Sequence, residues 1–215
     1  MLIRFQKRLK NAFQAYQTPI LTCKLCFRRF KGLSPHILRN NEFICPKCLS
    51  KFNPIFKKFD IDGIDGLTLF SYDVFMKDLI YRFKGCFDYE LREIFLGLYK
   101  NELSILFKGY TVIPAPSFIG DDIVRGFNHV REMFGFLGLE SIDAFEKTKQ
   151  HKQSDQRMRD RKKIGEFIKF KDGIDLKNKI LLVDDIYTTG ATMRTLISML
   201  KSRGIRDIKV LVICK

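Results

Sequence analysis

Residues 180 to 193 read ILLVDDIYTTGATM, and the order of residue types in this stretch decides the fold. Ile180, Leu181, Leu182 and Val183 form an unbroken apolar run, the character of a parallel strand buried on both faces. Two adjacent carboxylates follow, Asp184 and Asp185. Next comes a turn of small hydroxyl residues and glycine: Thr188, Thr189, Gly190, Ala191 and Thr192. From Met193 the apolar residues Leu196, Ile197 and Leu200 recur at helical spacing. Strand, acid pair, Thr/Gly turn and helix in this order direct backbone N–H groups and hydroxyls at a ligand from a helix N-terminus, which suits a phosphate. Two acids beside the turn do not suit a bare phosphate. They suit a ligand that also presents hydroxyls or brings a cation. A ribose 5-phosphate meets both conditions, with its phosphate in the turn and its 2′ and 3′ hydroxyls on the acids. A Mg²⁺ would bridge the other side of the sugar to a pyrophosphate. The plainer alternative is an ordinary β-turn-α unit with solvated aspartates and a Thr N-cap. The complete order of residues favours the phosphoribosyl reading, because each position then has its own role.

Working outward, the front of the chain carries Cys23-x-x-Cys26 and, after eighteen residues, Cys45-Pro-Lys-Cys48. Each pair can hold one cation from a tight turn, and two such turns complete a tetrahedral four-thiolate zinc site. Four protein ligands leave no open position, so this zinc is structural. Disulfides are the alternative in a secreted chain. The first twenty residues lack the sustained apolar stretch of a cleaved leader, which favours zinc and a cytoplasmic location. His36 lies between the pairs but is surplus to a filled site. Cys86 and Cys214 have no partner pattern and read as ordinary small residues.

With 215 residues and 46% apolar content, the chain can hold one α/β domain plus a small module. No apolar run reaches the length of a membrane span. The net charge of +15 is unevenly placed. Residues 1–60 carry 13 Lys/Arg against 2 Asp/Glu, and residues 147–163 carry 8 against 2, so the remainder is slightly acidic. Such concentration points to a polyanionic partner, nucleic acid first. Phe27, Phe30, Phe43 and Phe52 are interleaved with the first basic segment. They either stack on unpaired bases or fill the core of the small module, and a module this short needs most of them inside. Residues 1–20 form either a basic amphipathic helix, with Leu2, Phe5, Leu9 and Phe13 on one side, or a frayed start.

Between these segments, residues 53–65 read as a linker, 66–75 as a strand and 76–83 as a helix leading to Lys84-Gly85. Residues 90–107 have the apolar spacing of one amphipathic helix. Residues 110–113 form a short strand that runs into Pro114-Ala115-Pro116-Ser117. Two prolines there fix a loop at the carboxyl edge of the sheet, where ligands bind in doubly wound folds.

The stretch ILLVDDIYTTGATM resembles the phosphoribosyl-pyrophosphate (PRPP) loop of type I phosphoribosyltransferases. Together with the cysteine pairs and VIPAPSFIGDDIVRGFNHV, residues 112–130, it is similar to the ComF family of competence-associated, phosphoribosyltransferase-like proteins over residues 22–215. The resemblance implies an α/β fold, a type I phosphoribosyltransferase-like parallel sheet flanked by helices and preceded by the four-cysteine zinc module. The divisions are a basic segment 1–20, a zinc ribbon or finger 21–52, and the phosphoribosyltransferase-like domain 60–215. PRPP, with Mg²⁺, would be held by Asp184, Asp185, Thr188, Thr189, Gly190, Ala191 and Thr192. Its pyrophosphate would meet Pro116, Ser117, Arg125 and Gly126. Arg125 offers a fork of donors and Gly126 a close backbone approach. Lys84 matches a family position and is either a ligand contact or the end of a helix that stops at glycine. Residues 147–170 resemble the family's hood over the ligand, with Gln153 and the basic run 157–163. Asp121 and Asp122 depart from the family pattern, which has basic residues there, and Lys163-Ile164 stands where the family often has Asn. His129 reads as an ordinary helix residue.

By this resemblance the chain is expected to bind PRPP and to support natural transformation. It would handle incoming single-stranded DNA at the cytoplasmic side, with DNA-uptake proteins at the membrane as further partners. The alternative is an active phosphoribosyltransferase that displaces pyrophosphate from PRPP with a base or amine. Several type I enzymes carry a third acid after the pair. Ile186, Tyr187 and Thr188 occupy those positions here, so no catalytic residue is assigned.

Overall fold

The structure is a computed structural model and describes residues 20–31, 43–148 and 167–215. The basic N-terminal segment, His36, Gln153 and the run 157–163 lie outside these residues. At the front, β1 (Ile20–Thr22) pairs antiparallel with β2 (Arg29–Lys31), and a one-turn helix, Pro46–Leu49, carries the second cysteine pair.

The main sheet has five strands in the order β3 (Pro54–Ile61), β4 (Ile64–Phe70), β9 (Asp207–Cys214), β8 (Lys179–Ile186) and β5 (Thr111–Pro114). The last four run parallel, and β3 joins antiparallel at one edge. Ile180, Leu181, Leu182 and Val183 on β8 are all fully buried. They alternate between two cores, as the two faces of a strand require. Leu181 and Val183 pack with Met76, Phe83, Phe95 and Met133, from helices on one face. Ile180 and Leu182 pack with Met193, Leu196 and Leu200 of the helix Ala191–Lys201, and with Phe145 and Ile168. The latter two come from a small hairpin of β6 (Phe145–Lys147) and β7 (Ile168–Phe170). Ile44, Cys45, Cys48 and Phe52 share the first core, so the four-cysteine module is packed onto the sheet domain.

Three local expectations are corrected. Residues 53–65 are no linker. They form β3 and a hairpin turn in which Asp62 and Gly63 have φ of +52° and +80°, as a two-residue Asp-Gly turn demands. The strand at 66–75 begins at Ile64 and ends at Phe70. Asp73 then caps the helix Val74–Gly85, its side chain accepting from Met76 N–H at 2.9 Å. The single helix over 90–107 is three short pieces: a 3₁₀ turn Tyr89–Glu93 and helices Ile94–Gly97 and Lys100–Leu106. The break follows Gly97, a poor helix former that is buried next to the rings of Phe43 and Phe136. Among the described residues, no helix is long and apolar enough to cross a membrane.

Candidate functional site

At the carboxyl ends of β5 and β8 the sheet opens into a cleft lined by Lys84, Pro116, Ser117, Arg125, His129, Asp184, Asp185 and Thr192, among others. Its volume, open mouth included, is about 750 Å³. Lys147 and Ile168 from the β6–β7 hairpin form part of the wall. Each contributor arrives where its element ends. Asp184 and Asp185 leave the buried run of β8, and Pro116-Ser117 leaves β5. Lys84 stands in the last turn of Val74–Gly85, and Arg125 ends the helix Ile119–Arg125.

The two acids differ in state although they are neighbours. Asp185 is buried, which works against its charge. Lys84 Nζ lies 3.0 Å from its Oδ2, and His129 Nε2 lies 3.3 Å from the same oxygen. The charge of Lys84 above all outweighs burial and holds the carboxyl well below the usual carboxylate range. Asp184 is driven the other way, first by burial and then by the charge of Asp185, which raise it well above the usual carboxylate range. Burial works to lower the Lys84 ammonium, but Asp185 and Asp184 together hold it raised. Burial lowers His129, against the raising influence of Asp185.

Arg125 is tied into the wall. Its Nε donates to Lys84 O at 3.0 Å, and its Nη1 donates to Asp122 Oδ1 at 2.9 Å. Asp122 Oδ2 also accepts from Asn128 Nδ2 at 3.0 Å and from the Ser117 hydroxyl. Asn128 caps the helix His129–Gly135 and donates to Ser117 Oγ at 2.8 Å. Asp122 therefore faces inward, where it ties Ser117, Arg125 and Asn128 together.

Of the residues expected to hold the ligand, Asp184, Asp185, Thr192, Pro116, Ser117 and Arg125 meet in the cleft. Thr188, Thr189, Gly190, Ala191 and Gly126 are not among its lining residues. Thr188 and Thr189 are exposed on the turn. Gly190 is the N-cap of Ala191–Lys201 at φ +73°, so no threonine caps that helix. Gly126 has φ +83° and open space where a Cβ would stand, so its requirement for glycine is conformational. The sequence gives no local mark for His129 or Asp122 as parts of the site, and Lys84 stands 101 residues from its partner Asp185.

In the front module, the sulfurs of Cys23, Cys26, Cys45 and Cys48 all lie within 4.8 Å of one another. Cys26 and Cys45 Sγ are 3.7 Å apart. A tetrahedral zinc with Zn–S of about 2.3 Å requires sulfur separations of about 3.8 Å, so these four residues fit a metal ion such as zinc. Phe52 is buried between Phe70 and Phe75, and Phe30 and Phe43 are partly buried against the same core. Phe27 departs from this expectation: it is 71% exposed, at φ +58°. Beside it Arg28, Arg29 and Lys31 are exposed too.

Residues 142–215 match the phosphoribosyl transferase domain family. The chain is 34% identical over 149 residues to the competence protein ComFC of Streptococcus pneumoniae, covering 68% of this chain and 66% of that protein. It is 28% identical over 145 residues to ComFC of Bacillus subtilis, covering 64% and 58%. Thus the match spans about two thirds of the first relative's length and less of the second's. Among solved structures, two crystal forms of a hypoxanthine phosphoribosyltransferase from Staphylococcus aureus align with 64% of this chain and 62% of theirs. Their identities are 16% and 14%, and their TM-scores 0.35 and 0.34.

Proposed function

Because this chain belongs to the ComF family of phosphoribosyltransferase-like proteins, we propose that it is a competence protein that binds PRPP at the acid pair and handles incoming single-stranded DNA. The ligand half of this reading is carried by one observation: the cleft sets Lys84, Arg125 and Lys147 beside Asp184 and Asp185. A ligand with both phosphates and vicinal hydroxyls matches that pairing of charges; a bare phosphate or a neutral sugar does not. Asp185, ionised, accepts from a ribose hydroxyl, and Asp184 holds its neighbour. Ser117 and Arg125 face the pyrophosphate, and the turn at 188–192 takes the 5-phosphate at the helix N-terminus. A Mg²⁺ bound with PRPP would supply further positive charge at the pyrophosphate.

The DNA half is supported by the placement of the basic residues and by the exposed Phe27 among Arg28, Arg29 and Lys31. Phosphates bind the cations, and an unpaired base stacks on the ring. The zinc held by the four cysteines is structural and fixes the turn that carries Phe27. The site of action is the cytoplasmic side of the membrane, with DNA-uptake proteins as partners.

A second reading, an active transferase, draws on the same cations, which would stabilise departing pyrophosphate. A phosphorus NMR time course separates the two. Protein, Mg²⁺ and PRPP are mixed with a pool of bases and amines. We expect PRPP signals that shift or broaden while the PRPP stays intact. Release of pyrophosphate with a new phosphoribosyl product, lost on replacing both Asp184 and Asp185 by Asn, would establish turnover instead.

A further inference from the structure

We propose that His129 is a ligand-binding residue of the cleft, its Nε2–H donating to an oxygen of the bound phosphorylated sugar. This deepens the phosphoribosyl reading above, on which it rests. His129 opens the helix His129–Gly135, is only 4% exposed, and lines the cleft. Its Nδ1 lies 3.1 Å from Arg125 Nη1. A guanidinium only donates, so Nδ1 accepts, and the proton of the neutral ring sits on Nε2. The tautomer is thus set by Arg125, a residue at the end of a different helix.

The proton on Nε2 has no partner. Asp185 Oδ2 is 3.3 Å away, but the two make no hydrogen bond, and Lys84 already donates to that oxygen at 3.0 Å. Among the described residues, His129 Nε2 is the buried side-chain nitrogen or oxygen left without a hydrogen-bond partner. Buried donors are almost always paired, and an orphan in a cleft marks the place of a ligand atom. The ligand atom must be an acceptor, such as a hydroxyl or phosphate oxygen. An oxygen drawn to Asp185 is brought beside Nε2–H by the short separation of the two groups. Protonating Nδ1 would cost the Arg125 contact and add a third cation beside Arg125 and Lys84. The contact is therefore a neutral hydrogen bond, which selects an oxygen by position rather than by charge.

The test follows the histidine nitrogens of the full chain by long-range proton–nitrogen NMR while PRPP and Mg²⁺ are added, with calorimetry on wild type, His129→Gln and His129→Leu. We expect the Nε2–H tautomer in the free protein and a shift of Nε2 as PRPP saturates. His129→Leu should weaken Kd by about tenfold, and His129→Gln, which keeps an N–H donor, should recover most of the loss. An Nε2 resonance that stays put at saturating PRPP overturns the assignment, as does a folded His129→Leu variant with wild-type affinity. Should His129→Leu fail to fold, the wild-type resonance decides. Wild type that binds no PRPP at all overturns the phosphoribosyl reading itself, and this assignment with it.

Discussion

Asp184 and Asp185 share a strand end, the first partly buried and the second buried, yet their charges are set in opposite directions. Asp185 meets Lys84 and His129, whereas Asp184 meets chiefly its ionised neighbour. The acid pair itself is legible in sequence, because two carboxylates after a buried strand need a reason. The division of labour is not legible. It depends on a lysine and a histidine that only the fold delivers, and neither stands in a local pattern that marks it. The consequence for stability has a definite sign. Asp184 has a folded pKa above its unfolded value, so its contribution is full below the ordinary carboxylate range and is lost as pH rises toward the folded value. Asp185 behaves oppositely: its contribution is present above about pH 4 and is lost as pH falls. Asp184→Asn should therefore gain on wild type in thermal midpoint between pH 4 and neutrality, while binding PRPP poorly. Asp185→Asn leaves Lys84 without its anion, but the Lys84 side chain is 42% exposed, so water takes over much of the lost contact and the variant should be destabilised by no more than about 1 kcal/mol at neutral pH. Thermal melts across pH check both. An Asp184→Asn variant that falls behind wild type as pH rises would contradict the assignment.

Elements were legible where burial imposes a pattern and obscure where it does not. β8 is buried on both faces and reads as an unbroken apolar run. β3 is an edge strand whose residues are mostly exposed, and Lys57, Lys58 and Asp60 break any alternation. Charged residues of this kind are how an edge avoids pairing with other chains, and they also disguise it as a linker. The Asp62-Gly63 turn was the available signal. The segment 90–107 errs the other way, since its apolar spacing survives a break after Gly97 and says nothing of where the helix stops. The turn from β8 to Ala191–Lys201 depends on Gly190 twice: φ is +73°, and an added Cβ would stand 2.3 Å from the Tyr187 hydroxyl oxygen. Gly190→Ala should cost about 1–2 kcal/mol from the left-handed backbone alone, plus the displacement of Tyr187. If the 5-phosphate sits at this turn as proposed, the variant should also weaken PRPP binding. Denaturant melts and calorimetry measure the two effects, and a variant with wild-type stability would contradict the strain.

At the scale of the whole molecule, cysteine spacing reveals the front module but not its attachment. Lys24, inside the first cysteine pair, bonds Glu93 at 2.6 Å and Glu90 at 3.0 Å, and the buried cysteines belong to the core that also holds Phe83 and Met133. The module and the sheet should therefore unfold together. Cys45→Ser, or a chelator, should lower the single calorimetric transition of the full chain; a separate module transition with the main melt unmoved would contradict this. Charge placement also acts at this scale. Affinity for single-stranded DNA should fall linearly on a log–log plot against salt. Replacing Arg28, Arg29 and Lys31 should flatten the slope by roughly 2, and an unchanged slope would remove this face from the DNA path. Calorimetric titration of PRPP with Mg²⁺ into wild type and into the double variant Asp184→Asn, Asp185→Asn decides whether the acid pair builds a PRPP site. We expect saturable binding to wild type and none to a double variant that remains folded. No heat with wild type, or equal affinity in both proteins, would contradict it.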